Sequence, residues 1–136
     1  GIHTLLTVLK MFPGVFRNFV FVQAGVVDAG NFKGADEMEN LRAHIASETE
    51  RYAAVMRRKG FHATTATAIG HDAVKEATQL ASEIASEYPQ AVFFGGQLVF
   101  LNDSRLARLL HNFTVFALQR EFFRKGLPFL IVPIRV

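Results

Sequence analysis

The sequence predicts an α/β domain built on an open, mostly parallel sheet with helices on both faces. The run Arg17-Asn18-Phe19-Val20-Phe21-Val22-Gln23-Ala24-Gly25-Val26-Val27 is apolar on nearly consecutive residues. A strand that is apolar on both faces needs protein on both sides of its sheet. Three further short β-prone segments, residues 61–69, 91–94 and 129–134, alternate with helical patterns. Connections through a helix join parallel strands, and they do so right-handedly.

Residues 3–12 suit a short helix with Leu5, Leu6 and Leu9 on one side, stopped by Pro13-Gly14. An α/β domain more naturally opens with a strand, so the pattern leaves room for a first strand upstream of this helix. After Val27 the chain is expected to turn through Asp28-Ala29-Gly30-Asn31. It then enters a helix capped by Asp36, with Glu39 three residues later as in a capping box. Leu41, Ile45, Tyr52, Val55 and Met56 recur at helical spacing, and Gly60, free to take positive φ, is the natural stop.

Residues 61–69 form a strand of modest side-chain bulk. Gly70-His71-Asp72 ends it, with Asp72 as N-cap of a helix reaching Glu87. Val74, Ala77, Ala81, Ile84 and Tyr88 make that helix's core stripe, and Pro89 closes it. Ala91-Val92-Phe93-Phe94 is a third strand, which Gly95-Gly96-Gln97 is expected to end. Asn102-Asp103-Ser104 is placed to cap a last helix carrying Leu106, Leu109, Leu110, Phe113 and Ala117, stopped by Gly126. In the final strand Pro133 has no amide to donate, so it belongs at a sheet edge or a strand end. The resulting order is the rhythm of a Rossmann-like doubly wound sheet.

With 136 residues, of which 50% are hydrophobic, the chain can bury one substantial core, and a single domain spanning residues 1–136 is expected. The formal charge of +3 is small, and its one dense basic cluster, Arg57-Arg58-Lys59, ends a helix, where cations oppose the dipole. No nucleic-acid footprint is read from it. The absence of cysteine excludes disulfides and thiolate chemistry. The longest apolar stretches fall well short of the roughly 20 residues that a membrane helix needs, so this segment by itself is expected to be soluble.

Phenylalanine is abundant, at 14 residues against no tryptophan. Phe113, Phe116, Phe122 and Phe123 are distributed around one late helix and cannot all face a single sheet. Part of that surface then meets another subunit or domain, or else a neighbouring helix covers it. Arg108, His111, Phe116 and Phe123 are the interface candidates on this helix.

In an open parallel sheet the ligand crevice lies beyond the C-terminal strand ends, where helix N-termini also point. That geometry collects Asp28, Asn31, Gly70, His71, Asp72, Gly95, Gly96 and Gln97 as ligand-binding candidates. Each has a plainer role beside the functional one. The glycine pair can be a tight strand exit, since neither a P-loop nor a G-x-G-x-x-G pattern surrounds it. His71 can be a solvated residue at a helix entry that Asp72 caps, and Asp28 can be a turn former. His3, His44, His62, His71 and His111 fall on separate elements without metal-ligand spacing, and no G-x-S-x-G elbow exposes a serine. The chain therefore reads as non-catalytic, with no metal and no cofactor required.

Seven segments carry a family resemblance: Gly1-Ile2-His3-Thr4-Leu5-Leu6, Phe16-Arg17-Asn18-Phe19-Val20-Phe21-Val22, Gly25-Val26-Val27-Asp28, Asn31-Phe32-Lys33-Gly34, Phe94-Gly95-Gly96-Gln97-Leu98-Val99-Phe100, Leu110-His111-Asn112 and Leu130-Ile131-Val132-Pro133-Ile134-Arg135-Val136. Together they resemble the soluble C-terminal cytosolic domain of bacterial amino acid permease-like membrane transporters. The resemblance implies a universal stress protein-like fold and a preceding glycine-containing strand. It also implies an accessory or regulatory role, with the membrane domain of the same transporter as partner and a homodimer as a further option. The universal-stress-type ATP motif is not evident in this sequence. The competing expectation is a nucleotide- or small-molecule-sensing domain that binds at the strand ends.

Overall fold

The computed structural model describes residues 2–27, 34–99 and 105–135, with side chains at all of these except 97–99, 105–113 and 135. In chain order the elements are α1 (Ile2–Met11), β1 (Asn18–Val26), α2 (Ala35–Arg58), β2 (His62–Gly70), α3 (Ala73–Glu87), β3 (Phe93–Val99), α4 (Arg105–Arg124) and β4 (Phe129–Arg135). The α/β class and the alternation of helix and strand agree with the sequence. The sheet is described as two parallel pairs, β1 with β2 and β3 with β4. Each pair is joined through one long helix, as a crossover requires. Backbone contacts group the chain into two compact units, Arg17–Leu80 and Gly1–Phe16 with Ala81–Val136.

In the Arg17–Leu80 unit, α2 packs on the β1–β2 pair. Its buried residues Ile45, Thr49, Ala53 and Met56 recur at intervals of three and four, so they form one stripe. Gly25 is matched to that stripe, because a Cβ there would run into the Ile45 side chain. The Phe19 ring meets Phe61 edge-on at 5.2 Å, and Phe21 lies 5.9 Å from Tyr52.

Both ends of α2 follow from backbone chemistry. Gly34, at φ 120°, is the N-cap, and no side-chain hydrogen bond caps the helix. The expected Asp36 cap is thus corrected: Asp36 and Glu37 sit in the first turn, where carboxylates favour the positive end of the dipole. At the other end Gly60 takes φ 91°, its amide donates to the Arg57 carbonyl, and the Phe61 amide donates to the Met56 carbonyl. These are the paired bonds of a Schellman stop.

In the other unit, α1 and α4 pack on the β3–β4 pair. Phe122 of α4 meets Phe93 and Phe129 edge-to-face, with centroids 5.2 and 5.0 Å apart. Ala81, Phe122 and Phe129 are buried at the centre of this cluster. Phe12, Phe16 and Phe94 form a second aromatic group at 5.5–5.9 Å. Gly126, at φ 74°, closes α4 with the same pair of bonds that close α2, to the Phe123 and Phe122 carbonyls.

One strand boundary differs from the sequence reading. Gly95-Gly96-Gln97 does not end β3; the strand runs through it to Val99, with these residues opposite Ile131, Val132 and Pro133. The reason is packing. A Cβ at Gly95 would lie 2.7 Å from Cζ of Phe129, and one at Gly96 would meet Ile134 and the Thr4 hydroxyl. Glycine here lets neighbouring side chains close over the strand, where the sequence pattern had suggested a turn.

Candidate functional site

The expected crevice is described best at the C-terminal end of the β1–β2 pair, where Gly70-His71-Asp72 leads into α3. The Val27 amide donates to the Gly70 carbonyl at 3.0 Å, extending the ladder by one residue. His71 Nδ1 lies 3.0 Å from the Val27 carbonyl. A carbonyl only accepts, so Nδ1 carries the hydrogen. Sequence reasoning placed His71 at this end of the sheet and did not see that it ties the two strand exits together.

Asp72 caps α3 as expected: Oδ1 accepts from the Val74 amide at 3.0 Å and the Lys75 amide at 3.2 Å. Its own carbonyl accepts from the Glu76 amide at 3.0 Å, which starts the helix. The Glu76 carboxylate folds onto Gly70, filling the space a Cβ would take. Two amides that a phosphate would use at this helix start therefore already serve a carboxylate, and a second carboxylate stands beside them. That electrostatic setting disfavours an anion and suits a neutral polar or cationic group.

Of the other ligand candidates, Asp28 and Asn31 lie outside the described residues. Gly95, Gly96 and Gln97 belong to the interior of β3. Among the described residues no three His, Asp or Glu side chains converge as a metal site. No described helix is long and apolar enough to cross a membrane.

The interface candidates share α4. The side chains of Arg108 and His111 lie outside those described. Phe116 and Phe123 are 47% and 55% exposed, against 4% for Phe122, so the phenylalanines do point to different sides. Phe116 and Phe123 are two turns apart on one stripe, and exposed Arg120 stands between them. The helix is polar nearby, where Arg124 pairs with Glu121 at 3.1 Å.

Sequence reasoning missed a polar cluster under α2. Thr49, 1% exposed, lies with its hydroxyl 2.6 Å from the Ile45 carbonyl and 2.9 Å from Gln23 Oε1. The Gln23 amide donates to Glu48 at 3.2 Å. The signal was legible: Gln23 is the one polar residue inside an apolar run, and Thr49 occupies the α2 stripe one turn after Ile45. Comparison with protein-family models, with curated proteins and with solved structures returned no match.

Proposed function

We propose that the chain is a non-catalytic cytosolic accessory or regulatory domain of an amino acid permease-like membrane transporter, acting through protein–protein contacts. The family part of this reading rests on the sequence resemblance, and its finer fold is a Rossmann-like, universal stress protein-like doubly wound sheet. The observation that carries the contact mechanism is the exposed stripe Phe116, Arg120 and Phe123 on α4. Aromatic residues and arginine are the types enriched in interface cores, and two large exposed rings on one helix face are costly to leave in water. The partner in this reading is the membrane domain of the same transporter, or a second copy in a homodimer.

The test is transport by the intact protein carrying Phe116→Ser and Phe123→Ser together. Regulation through this face changes the transport rate while the domain keeps its helical signal. Unchanged transport and unchanged assembly count against it.

A second reading, a small-molecule-sensing domain, is favoured by the His71 bridge between strand exit and helix entry. A ligand that competes for His71 would loosen the link to Val27, giving the binding event a mechanical consequence. Calorimetry against nucleotides, amino acids and simple anions tests it, and absence of saturable heat argues against it. The carboxylates of Asp72 and Glu76 make amino acids the better first candidates than nucleotides.

A further inference from the structure

The charges of the Arg17–Leu80 unit are sorted by end. The strands β1 and β2 are parallel and start together, with Asn18 opposite His62, and α2 runs back over them from their C-terminal end. Its last turn therefore lies beside both strand starts. That end collects Arg17, Arg57, Arg58 and Lys59, all exposed, with exposed His62 beside them. The opposite end collects Asp36, Glu37 and Glu39 in the first turns of α2, and Asp72 and Glu76 at the start of α3, with Lys75 among them. The sequence shows the same sorting, since no Asp or Glu occurs in residues 1–27 or 51–71.

A basic last turn answers the helix dipole, which accounts for part of the cluster. It does not account for Arg17, which arrives from outside the helix. The His62 amide donates to the Arg17 carbonyl at 3.2 Å, and this bond fixes Arg17 at the same end. Arg57 is already engaged within the unit: it pairs with Glu50, and its Nε donates to the Ala63 carbonyl at 2.9 Å. Arg17, Arg58 and Lys59 are left over, because among the described residues no carboxylate pairs with them. Three unpaired cations at one end, with the carboxylates at the other, make a surface complementary to an anionic partner.

The form of that partner follows from the surroundings. The helix α2 presents its C-terminus here, so no free helix amides converge to hold a single phosphate. The rings at this end, Phe19 and Phe61, are half-buried and packed edge-on against each other, not splayed open for bases to stack on. What remains is a spread of charge that fits a plane of anions. We propose that this end of the unit docks on an anionic membrane surface, with Arg17, Arg58 and Lys59 facing the lipid headgroups. A Lys or Arg near such a surface strengthens binding about fivefold, so three give on the order of a hundredfold. The inference uses a face other than the α4 stripe, and it does not rest on the transporter reading.

The experiment is co-sedimentation of the protein with phosphatidylcholine vesicles, with and without phosphatidylserine. The proposal expects partition to be on the order of a hundredfold stronger onto the anionic vesicles, and to be lost at high salt. Lys59→Gln lowers it about fivefold, and Arg58→Gln together with Lys59→Gln on the order of 25-fold. Lys75→Gln makes the same charge change at the opposite end and leaves partition at the parent level. Equal partition onto both kinds of vesicle overturns the proposal, as does an equal loss from Lys59→Gln and Lys75→Gln, because net charge alone is then responsible. A lowered denaturant midpoint for the Arg58 and Lys59 variants with unchanged partition overturns it too, since the cations then serve only the helix end. Tighter binding to a DNA duplex than to anionic vesicles also overturns it, with nucleic acid then the partner.

Discussion

The two parallel pairs solve one packing problem in different ways. The β3–β4 pair is held by rings, Phe122 standing edge-on to Phe93 and Phe129. The β1–β2 pair has half-buried rings as well, Phe21 against Tyr52 and Phe19 against Phe61, but its fully buried contacts come from the α2 stripe Ile45, Thr49, Ala53 and Met56, with Gly25 beneath Ile45 and Thr49 hydrogen-bonded. Rings fill space with few adjustable torsions, so that core has little room to adapt. With a small alanine and a flexible methionine in it, the stripe can shift by a methyl group, and it relies on polar satisfaction to fix its register. The contrast teaches that identical local topology does not imply identical sensitivity to substitution.

The sharpest break of the comparison is Phe122→Ala. It removes the ring shared by both edge-to-face contacts, and the expected loss is about 3–5 kcal/mol of unfolding free energy, measured by chemical denaturation. Met56→Ala, the corresponding deletion beneath α2, is expected to cost about 2–5 kcal/mol, toward the lower end because the stripe can close in. Equal losses would erase the distinction between the two cores.

The glycines sharpen it further. Gly25→Ala and Gly95→Ala each overfill a packed position, at an expected cost of about 1–3 kcal/mol. At Gly25 the obstruction is one terminal methyl of Ile45, with the next atoms, Ile69 Cγ1 and Ile45 Cγ1, at ordinary contact distances of 3.4 and 3.5 Å. Ile45→Val therefore recovers most of the Gly25→Ala loss in a double-mutant cycle. At Gly95 the obstruction is the Phe129 ring, at 2.7 and 3.1 Å, and trimming that ring sacrifices its contact with Phe122. No single compensating change is expected there.

Thr49→Val keeps the shape and removes the hydroxyl. The one hydroxyl hydrogen is shared between the Ile45 carbonyl at 2.6 Å and Gln23 Oε1 at 2.9 Å, so Gln23 Oε1 loses its share of it in a half-buried setting, at an expected cost of about 1 kcal/mol. Adding Gln23→Met removes the stranded amide as well, and the pair of changes is expected to come close to the parent in denaturant midpoint. A double variant no better than Thr49→Val alone would show that the polar cluster does not set stability in this region.

How much of this was legible varies with the kind of signal. Periodicity and glycine stops located the helices closely, since Gly60 and Gly126 mark chain reversals that only positive φ allows. Parallel pairing followed from helical connections. The α2 start was misread because Asp36 and Glu39 match a capping box, while Gly34 supplies the cap by backbone geometry alone. The Gly95-Gly96 pair was misread for a deeper reason: in sequence a glycine needed for a turn and one needed for close packing look the same. Only the facing residues Phe129, Ile134 and Thr4, remote in the chain, distinguish them. At the candidate site the Asp72 cap was legible from position, whereas the His71 link to Val27 spans 44 residues and has no local signature.

The smallest expected effect sits where the site and the fold overlap. Asp72 is exposed and caps α3 through one carboxylate oxygen, so Asp72→Ala costs about 1 kcal/mol and Asp72→Asn less, because an amide oxygen still accepts from Val74 and Lys75. The substitution also removes one of two carboxylates at the strand exit. If the site selects a cationic or zwitterionic ligand, Asp72→Asn weakens its binding while leaving the denaturant midpoint almost unchanged. If Asp72 serves only the helix, the two measurements move together, and both move little.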